Sequence, residues 1–202
     1  MPYCSRTLSI SVLGVALAAA LLNLSPAAAQ QQSANDMVNL LLPKPTRSIG
    51  VDPKTIEQCR IIDNVRGVPT RSISVEAANQ LADCAKSKPS IDLEVHFDYN
   101  SAVIGAEATD ALTTLGTALR DPRLKGALVM LAGHTDAKGG DAYNKDLSDH
   151  RAEAVRHFLV EKFSLPAANL IAIGYGKSRL KNTADPFAAE NRRVQVVNML
   201  AQ

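Results

Sequence analysis

The chain has 202 residues and a formal net charge of +2, with 22 Lys and Arg against 20 Asp and Glu, and aromatic residues make up 4% of it with no tryptophan. This length suits one ordinary domain with accessory segments. Because the sequence has no block of Lys or Arg and few aromatic residues, it lacks the basic patch and the stacking surface of nucleic-acid-binding proteins, and we expect no nucleic-acid partner.

Residues 1–29 have the pattern of a secretory signal peptide. Arg6 precedes an apolar stretch at residues 8–24, and small residues at Ala27 and Ala29 fit an A-x-A-type cleavage site before Gln30. The alternative is an uncleaved membrane anchor, but the apolar stretch is shorter than the ~20 residues that usually span a bilayer. We therefore expect export, with a mature chain that begins at Gln30.

The cysteines indicate a disulfide. Cys4 lies before the apolar stretch, whereas a lipid-modified cysteine would follow it, and cleavage would remove this residue. Cys59 and Cys84 then remain in a compartment that permits disulfides, and we expect them to pair. Two unpaired thiols on separate short helices are the alternative, since proximity cannot be inferred from spacing. The sequence has no Cys-x-x-Cys motif, the usual mark of a redox enzyme or a zinc ribbon.

Residues 30–89 are predicted to be a linker with short helices. Pro43, Pro45 and Pro53 interrupt the segment, and short helices are plausible around residues 53–61 and 75–86. We expect this segment to have little core of its own.

Residues 90–202 are predicted to form the folded domain. Apolar and polar residues alternate from Ile91 to Phe97, which is typical of a strand, and apolar residues then recur at helical spacing over residues 108–119. The uninterrupted apolar run at residues 127–132 indicates a strand that is central or covered on both faces. A second helix from about Leu147 to Lys162 and strands at 170–173 and 194–197 complete the order βαβαββ. This order predicts an α/β (α+β) sandwich with helices packed on one mixed sheet.

The sequence has no convincing catalytic or metal-binding motif. His134 and Asp136 form an H-x-D pair, and His150 and His157 lie seven residues apart on the second predicted helix, but no H-x-x-x-H or H-E-x-x-H spacing occurs. A G-x-S-x-G nucleophile elbow and a P-loop are both missing. We expect no catalytic residues, no metal and no cofactor, and histidines at the surface or in supporting positions.

Arg151 has an unusual place in the second predicted helix. It shares one side of this helix with Leu147, Val155, Phe158 and Lys162. A buried guanidinium is costly unless it is paired, so Arg151 needs an anionic partner. Asp136 follows the apolar strand, and open α/β sheets bind ligands beyond the carboxyl ends of their strands. Two interpretations stay open: Asp136 and Arg151 bind a ligand together, or they form an ion pair that fixes the loop.

At these residues the sequence resembles the OmpA-like C-terminal domain shared by OmpA, Pal and MotB. The resemblance covers roughly residues 91–198. Its motifs are G-H-T-D and N-x-x-L-S-x-x-R-A-x-x-V, which occur here as Gly133-His134-Thr135-Asp136 and as Asn144, Leu147, Ser148, Arg151, Ala152 and Val155. Phe97 with Asn100-Ser101-Ala102 is similar to the family's first-strand exit, Gly174-Tyr175-Gly176 to its third-strand end, and Asn191-Arg192-Arg193-Val194 to its last-strand entry.

The resemblance implies that the protein binds peptidoglycan without catalysis, through the diaminopimelate of the peptide stem. It assigns ligand binding to Asp136 and Arg151, and it places five further residues in or around the same pocket: Thr135, Asn144, Asn100, Asn191 and Arg192. A periplasmic protein, associated with the outer membrane or with outer-membrane proteins, is expected. The alternative is a module that uses the same fold to bind another envelope protein, with a purely structural role for the Asp136 and Arg151 pair.

The export hypothesis predicts the terminus of the native protein. Mass spectrometry of protein purified from the source cells should show Gln30, or its pyroglutamate form, as the first residue. Recovery of chains that retain residues 1–29 in an inner-membrane fraction would contradict both the cleavage and the periplasmic location.

Overall fold

A computed structural model of the chain describes Met1 and residues 32–44, 57, 59–95, 97 and 100–200. The predicted signal peptide thus lies outside the described residues except for Met1. The residues described from 32 onward belong to one compact unit. Its helices and strands are α1 (Ala34–Leu41), α2 (Ile61–Val65), α3 (Val75–Ala85), β1 (Ser90–Leu93), α4 (Ala106–Leu119), β2 (Val129–His134), α5 (Asp141–Phe163), β3 (Leu170–Gly176) and β4 (Val194–Asn198).

The predicted α/β fold is confirmed. From residue 90 onward the long elements follow the order βαβαββ, and the four strands form one mixed sheet in the order β1-β4-β2-β3. β4 runs antiparallel to both β1 and β2, whereas β2 and β3 are parallel. β1 is shorter than the alternating pattern predicts, since Phe97 forms only an isolated bridge with Ile104.

The strand directions bring several loops to one edge of the sheet. β1, β2 and β3 all run the same way, so their carboxyl ends lie together, and β4 begins at this edge because Val194 pairs with both Leu93 and Gly133. The residues that leave β2 and those that enter β4 are therefore neighbours. We call this side of the sheet the carboxyl edge.

Both faces of the sheet are buried. Val129 and Leu131 of β2 join a core that includes α1, α4 and α5, while Met130 and Ala132 join a second core with α2 and α3. This arrangement explains why the β2 sequence is apolar without alternation, as the sequence predicts for a strand covered on both faces.

The segment before the sheet contributes more to the core than its composition predicts. Met37, Val38 and Leu41 of α1 are almost fully buried, and Ser33 and Asp36 form a capping box that begins this helix. The helix predicted around residues 75–86 is present as α3, whereas the one predicted around 53–61 falls largely on residues outside the described part. The apolar residues of α1 are too few to form a core alone. They are buried because the sheet and its neighbouring helices supply the remaining apolar surface.

A disulfide joins the two helical parts that cover the second face. The Cα atoms of Cys59 and Cys84 are 5.2 Å apart, and Cys84 is fully buried in the second core. α3 is also tied to the sheet, since the Tyr175 hydroxyl donates to the Ala78 carbonyl at 2.9 Å. The helical segments that cover the second face are thus joined to each other by a disulfide and to the sheet by a hydrogen bond.

Removal of the disulfide should lower the free energy of unfolding. The bond closes a loop with a sequence separation of 25. In the chain-entropy treatment a loop of this size stabilises by about 3–4 kcal/mol. Urea denaturation of the Cys59→Ser, Cys84→Ser double variant should show this loss, and wild-type protein in reductant should behave the same way. An unchanged denaturation midpoint in both samples would contradict a stabilising disulfide.

Candidate functional site

A cavity of about 350 Å³ opens at the carboxyl edge of the sheet. Its walls come from the loop after β1, the loop after β2, the first turns of α5 and the entry to β4. The lining residues are Phe97, Asn100, Thr135, Asp136, Lys138, Gly139, Tyr143, Asn144, Leu147, Arg151 and Arg192.

The cavity depends on close packing of α5 against the ends of β2 and β3. The backbone N–H of Gly174 donates to Asp149 Oδ1 at 2.7 Å, and that of Gly176 donates to Ser148 Oγ at 2.8 Å. A Cβ atom at Gly133 would overlap the Ser148 carbonyl oxygen, and one at Gly174 would overlap Ser148 Oγ and the Asp149 backbone nitrogen. Glycine at both positions therefore lets the helix backbone approach the strands closely enough to make these hydrogen bonds.

α5 begins about two turns before the predicted helix. The sequence predicts a start near Leu147, whereas the helix starts at Asp141 after Gly140. The first two turns carry mainly polar residues because they face the cavity and solvent, so they lack the apolar periodicity on which the prediction depends. The extra turns bring Tyr143 and Asn144 into the cavity wall.

The loop that carries Asp136 is fixed by hydrogen bonds. The Thr135 N–H donates to the Gly176 carbonyl at 3.0 Å, and the buried Asn144 side chain donates to the Lys138 carbonyl at 2.9 Å. Asp136 Oδ1 accepts from the Lys138 N–H at 3.0 Å. The carboxylate is therefore held in one orientation toward the cavity.

Asp136 pairs with Arg192 across the carboxyl edge. Arg192 Nη1 lies 2.9 Å from Asp136 Oδ2, with side-chain exposures of 46% and 16% respectively. Each carboxylate oxygen has a second lone pair, so Asp136 retains the capacity to accept from a ligand. The sequence alone leaves open an ion pair between Asp136 and Arg151, and the structure gives Asp136 a different partner.

Arg151 is buried at the base of the cavity. It is 8% exposed, its Nε donates to the Ser101 carbonyl at 3.0 Å, and its guanidinium lies 4.9 Å from the centre of the Phe97 ring. Burial lowers the pKa of Arg151, while Tyr143 and Asp136 raise it and Arg192 lowers it. A guanidinium stays charged even so, because its ordinary pKa is far above neutral. The inward position predicted for Arg151 is thus observed.

Tyr143 is a wall residue that the sequence analysis missed. Its hydroxyl donates to Asn100 Oδ1 at 3.0 Å, which links α5 to the loop after β1, where Asn100 has a φ of 53°. Tyr143 is 42% exposed, and it precedes Leu147 and Arg151 at successive intervals of four residues. Extension of that helical stripe by one turn would have identified it.

Six of the seven predicted ligand residues line the cavity: Asp136, Arg151, Asn144, Thr135, Asn100 and Arg192. Asn191 is placed differently. It is fully buried, accepts from the Lys181 and Asn182 N–H groups, and donates to the Asp185 carbonyl, among others. Asn191 therefore organises the loop that precedes β4, and through this loop it positions Arg192.

His134, His150 and His157, the histidines that the structure describes, do not line the cavity. His134 is 3% exposed and stacks on Tyr175 with ring centres 5.6 Å apart. Burial, and then the charge of Arg193, lowers the pKa of His134 to about 3, so it is neutral at physiological pH. His150 and His157 lie on the exposed side of α5.

Within the described residues, no helix is both long and apolar enough to cross a membrane. In the same part of the chain, no group of three or more His, Cys, Asp or Glu side chains is arranged to hold a metal ion.

A second cavity, of about 500 Å³, lies at the opposite edge of the sheet. Its walls include Leu119, Phe163 and Leu170 and are largely apolar. The acidic residue on its rim, Asp121, is already paired with Arg123 at 2.9 Å. Arg120 and Lys125 also line this cavity, but none of the residues of the G-H-T-D and L-S-x-x-R motifs does, whereas Thr135, Asp136 and Arg151 line the cavity at the carboxyl edge.

Comparisons with known proteins identify the domain that carries the site. Residues 96–193 match the model of the OmpA family. The chain is 27% identical over 153 residues to outer membrane porin F of Pseudomonas aeruginosa, an alignment that covers 75% of this chain and 41% of that protein. It is 39% identical over 85 residues to outer membrane protein A of Shimwellia blattae, covering 42% of this chain and 35% of that protein.

Solved structures are similar as well. The OmpA-like domain of FopA1 from Francisella tularensis aligns with a TM-score of 0.47 and 22% identity over 54% of this chain and 70% of that chain. The peptidoglycan-associated lipoprotein from Burkholderia pseudomallei aligns with a TM-score of 0.43 and 28% identity over 51% of this chain and 86% of that chain.

Residues 96–193 are thus an OmpA-like domain, and they contain the loop after β2, α5 and the entry to β4 that build the cavity. The chain spans well under half the length of these two curated relatives.

Because α5 lies so close to β3, we expect that Gly174 cannot be replaced by any residue with a side chain without a loss of stability. Gly174→Ala should lower the free energy of unfolding by about 2–3 kcal/mol, the upper part of the usual range for overpacking, because two of the three atoms that the new Cβ would overlap are backbone atoms. Gly105→Ala is the matched control, since a Cβ there meets nothing within 4 Å, and it should cost less than about 1 kcal/mol. Equal losses for the two variants in chemical denaturation would contradict the close-packing account.

Proposed function

We propose that this protein binds peptidoglycan without catalysis, through the diaminopimelate residue of the peptide stem, and so links or organises the cell envelope. The observation that carries the proposal is a fixed carboxylate and a buried guanidinium that line one cavity of about 350 Å³. The resemblance of the same residues to the OmpA-like motifs supports this assignment. The curated relatives are outer membrane proteins by name, which supports a place in the envelope and, with the predicted signal peptide, in the periplasm.

The proposed ligand complements the charges of the cavity. The side chain of diaminopimelate ends in a carbon that bears both an ammonium and a carboxylate. Asp136 can accept from the ammonium, and Arg151 can donate to the carboxylate through its planar fork. Arg151 is held by the Ser101 carbonyl and the Phe97 ring, so little side-chain freedom is lost when a ligand binds. A lysine-type stem has no carboxylate at this position and would leave the guanidinium without its ligand partner.

The wall-binding proposal predicts that both charges are needed. Asp136→Asn and Arg151→Lys should each weaken co-sedimentation with purified diaminopimelate-type sacculi, by on the order of 2–5 kcal/mol in binding free energy, because the remaining group is left partly buried without its ligand partner. Arg151→Lys keeps the charge but loses the bidentate geometry.

Matched controls carry the same substitutions away from the cavity. Asp110→Asn and Arg120→Lys change exposed residues of α4 and its carboxyl end, and both variants should sediment like the wild type. Circular dichroism should show that all four variants are folded. If folded Asp136→Asn and Arg151→Lys proteins sediment like the controls, the wall-binding assignment of this cavity is wrong and a protein-docking role becomes the better account.

A further inference from the structure

The second cavity, at the edge of the sheet opposite the carboxyl edge, is apolar inside. It holds about 500 Å³ between the starts of β2 and β3 and the ends of α4 and α5. Its larger apolar side chains are those of Leu119, Leu124, Val129, Phe163, Leu165 and Leu170. Sites for small molecules usually measure about 300–1,000 Å³ and have mainly apolar walls with a few polar groups. The cavity therefore has the size and the wall chemistry of a site for a small apolar ligand.

The walls of this cavity are already in place without a ligand. The Phe163 ring lies directly on Gly116 of α4, where a Cβ atom would overlap the ring. The turn after α4 is closed by the Leu124 N–H, which donates to the Asp121 carbonyl at 2.9 Å, and by the Ala127 N–H, which donates to the Leu124 carbonyl at 2.9 Å. Because these contacts fix both sides of the cavity, a ligand needs to order little of the protein when it binds.

Two cations at the rim have no partner of their own. Arg120 and Lys125 line the cavity, and both are exposed. Within the part of the chain that the structure describes, neither side chain makes a hydrogen bond or an ion pair. The acid at the rim, Asp121, is bound by Arg123 through both carboxylate oxygens at 2.9 Å. Arg123 also donates to Asn35 of α1. The rim thus has an excess of positive charge.

The ends of two helices reduce this excess but do not cancel it. α4 and α5 both end at this edge, and a helix carboxyl end carries roughly half a negative charge. Two such ends amount to about one negative charge, against the two positive charges of Arg120 and Lys125. The balance favours an anion. Its charged group should lie at the wet rim beside these side chains, because burial among the apolar walls would remove its solvation.

We propose that the second cavity binds a fatty acid, with the aliphatic chain among the apolar walls and the carboxylate beside Arg120 and Lys125. A peptide segment fits the cavity less well, because its backbone N–H and C=O groups need partners. Most wall side chains are apolar, and the Asn169 amide oxygen already accepts from Arg66 at 2.7 Å. The inference does not depend on wall binding, since the two cavities share no lining residue.

The first test is isothermal titration calorimetry of the full protein with amphiphiles below their micelle concentrations. Affinity should rise on the order of tenfold from octanoate to decanoate, since each buried CH₂ group strengthens binding about fourfold. Butanoate, which has the charge but little chain, should not bind measurably. Dodecyltrimethylammonium, which has the chain of dodecanoate and the opposite charge, should bind at least about fivefold more weakly than dodecanoate, because it meets repulsion at the rim.

Variants locate the binding. Arg120→Gln combined with Lys125→Gln should weaken dodecanoate binding about fivefold or more and keep the dependence on chain length. The matched control, Arg60→Gln with Lys86→Gln, removes the same charge from exposed residues beside α2 and α3 and should bind like the wild type. Ala127→Phe places a ring in the cavity and should weaken binding by at least about tenfold, because it displaces several CH₂ groups of the chain. Circular dichroism should show that the variants are folded.

Four results would overturn the inference. Wild type that binds dodecanoate no more tightly than butanoate has no site for the chain, and equal affinity for dodecanoate and dodecyltrimethylammonium shows no site for an anion. Unchanged dodecanoate affinity in folded Ala127→Phe, or in folded Arg120→Gln, Lys125→Gln protein, places the ligand elsewhere. A dimer in analytical ultracentrifugation that persists in saturating dodecanoate and is lost in Ala127→Phe would assign the cavity to a second copy of the chain.

Discussion

The close approach of α5 to the ends of β2 and β3 is the constraint on which the site depends. Ser148 and Asp149 accept the backbone N–H groups of Gly176 and Gly174 while almost no space separates the helix from the strands. Because these bonds fix the position and rotation of α5 at its middle, Asn144 and Arg151, one turn to either side, are directed to the carboxyl edge. A helix one methyl group farther from the sheet would lose both bonds and move the guanidinium away from Asp136.

The electrostatics of the cavity follow from this geometry. Arg151 is buried and compensated by a carbonyl and an aromatic face, whereas Asp136 and Arg192 remain partly exposed at the rim. The ion pair with Arg192 holds the Asp136 carboxylate in one orientation, and the buried guanidinium of Arg151 is already desolvated before a ligand arrives. Charge-assisted bonds made in such a place are stronger than the same bonds at an open surface, because water competes less for the donors.

Much of this arrangement could be predicted from the sequence. The βαβαββ order of elements along the chain, the covered central strand and the inward position of Arg151 follow from periodicity. The motif resemblance leads to Asp136, Asn144 and Arg192. The partner of Asp136 could not be predicted, because the antiparallel entry of β4 at the carboxyl edge is a property of the sheet topology. The start of α5 was also missed, because polar turns that line a cavity have no apolar period. Burial of α1 and α3 depends on sheet surface that is distant in sequence, and the local composition of residues 30–89 does not reveal it.

The claim that the ligand binds at the carboxyl edge is tested most directly by NMR titration of ¹⁵N-labelled protein with L-Ala-γ-D-Glu-meso-diaminopimelate. The account predicts chemical-shift changes in the backbone amides from Thr135 to Asn144 and in the Nε–H signals of Arg151 and Arg192. Residues around the second cavity, such as Leu119 and Leu170, should stay unchanged. Shift changes that cluster at this second cavity, or no changes at saturating peptide, would contradict the account.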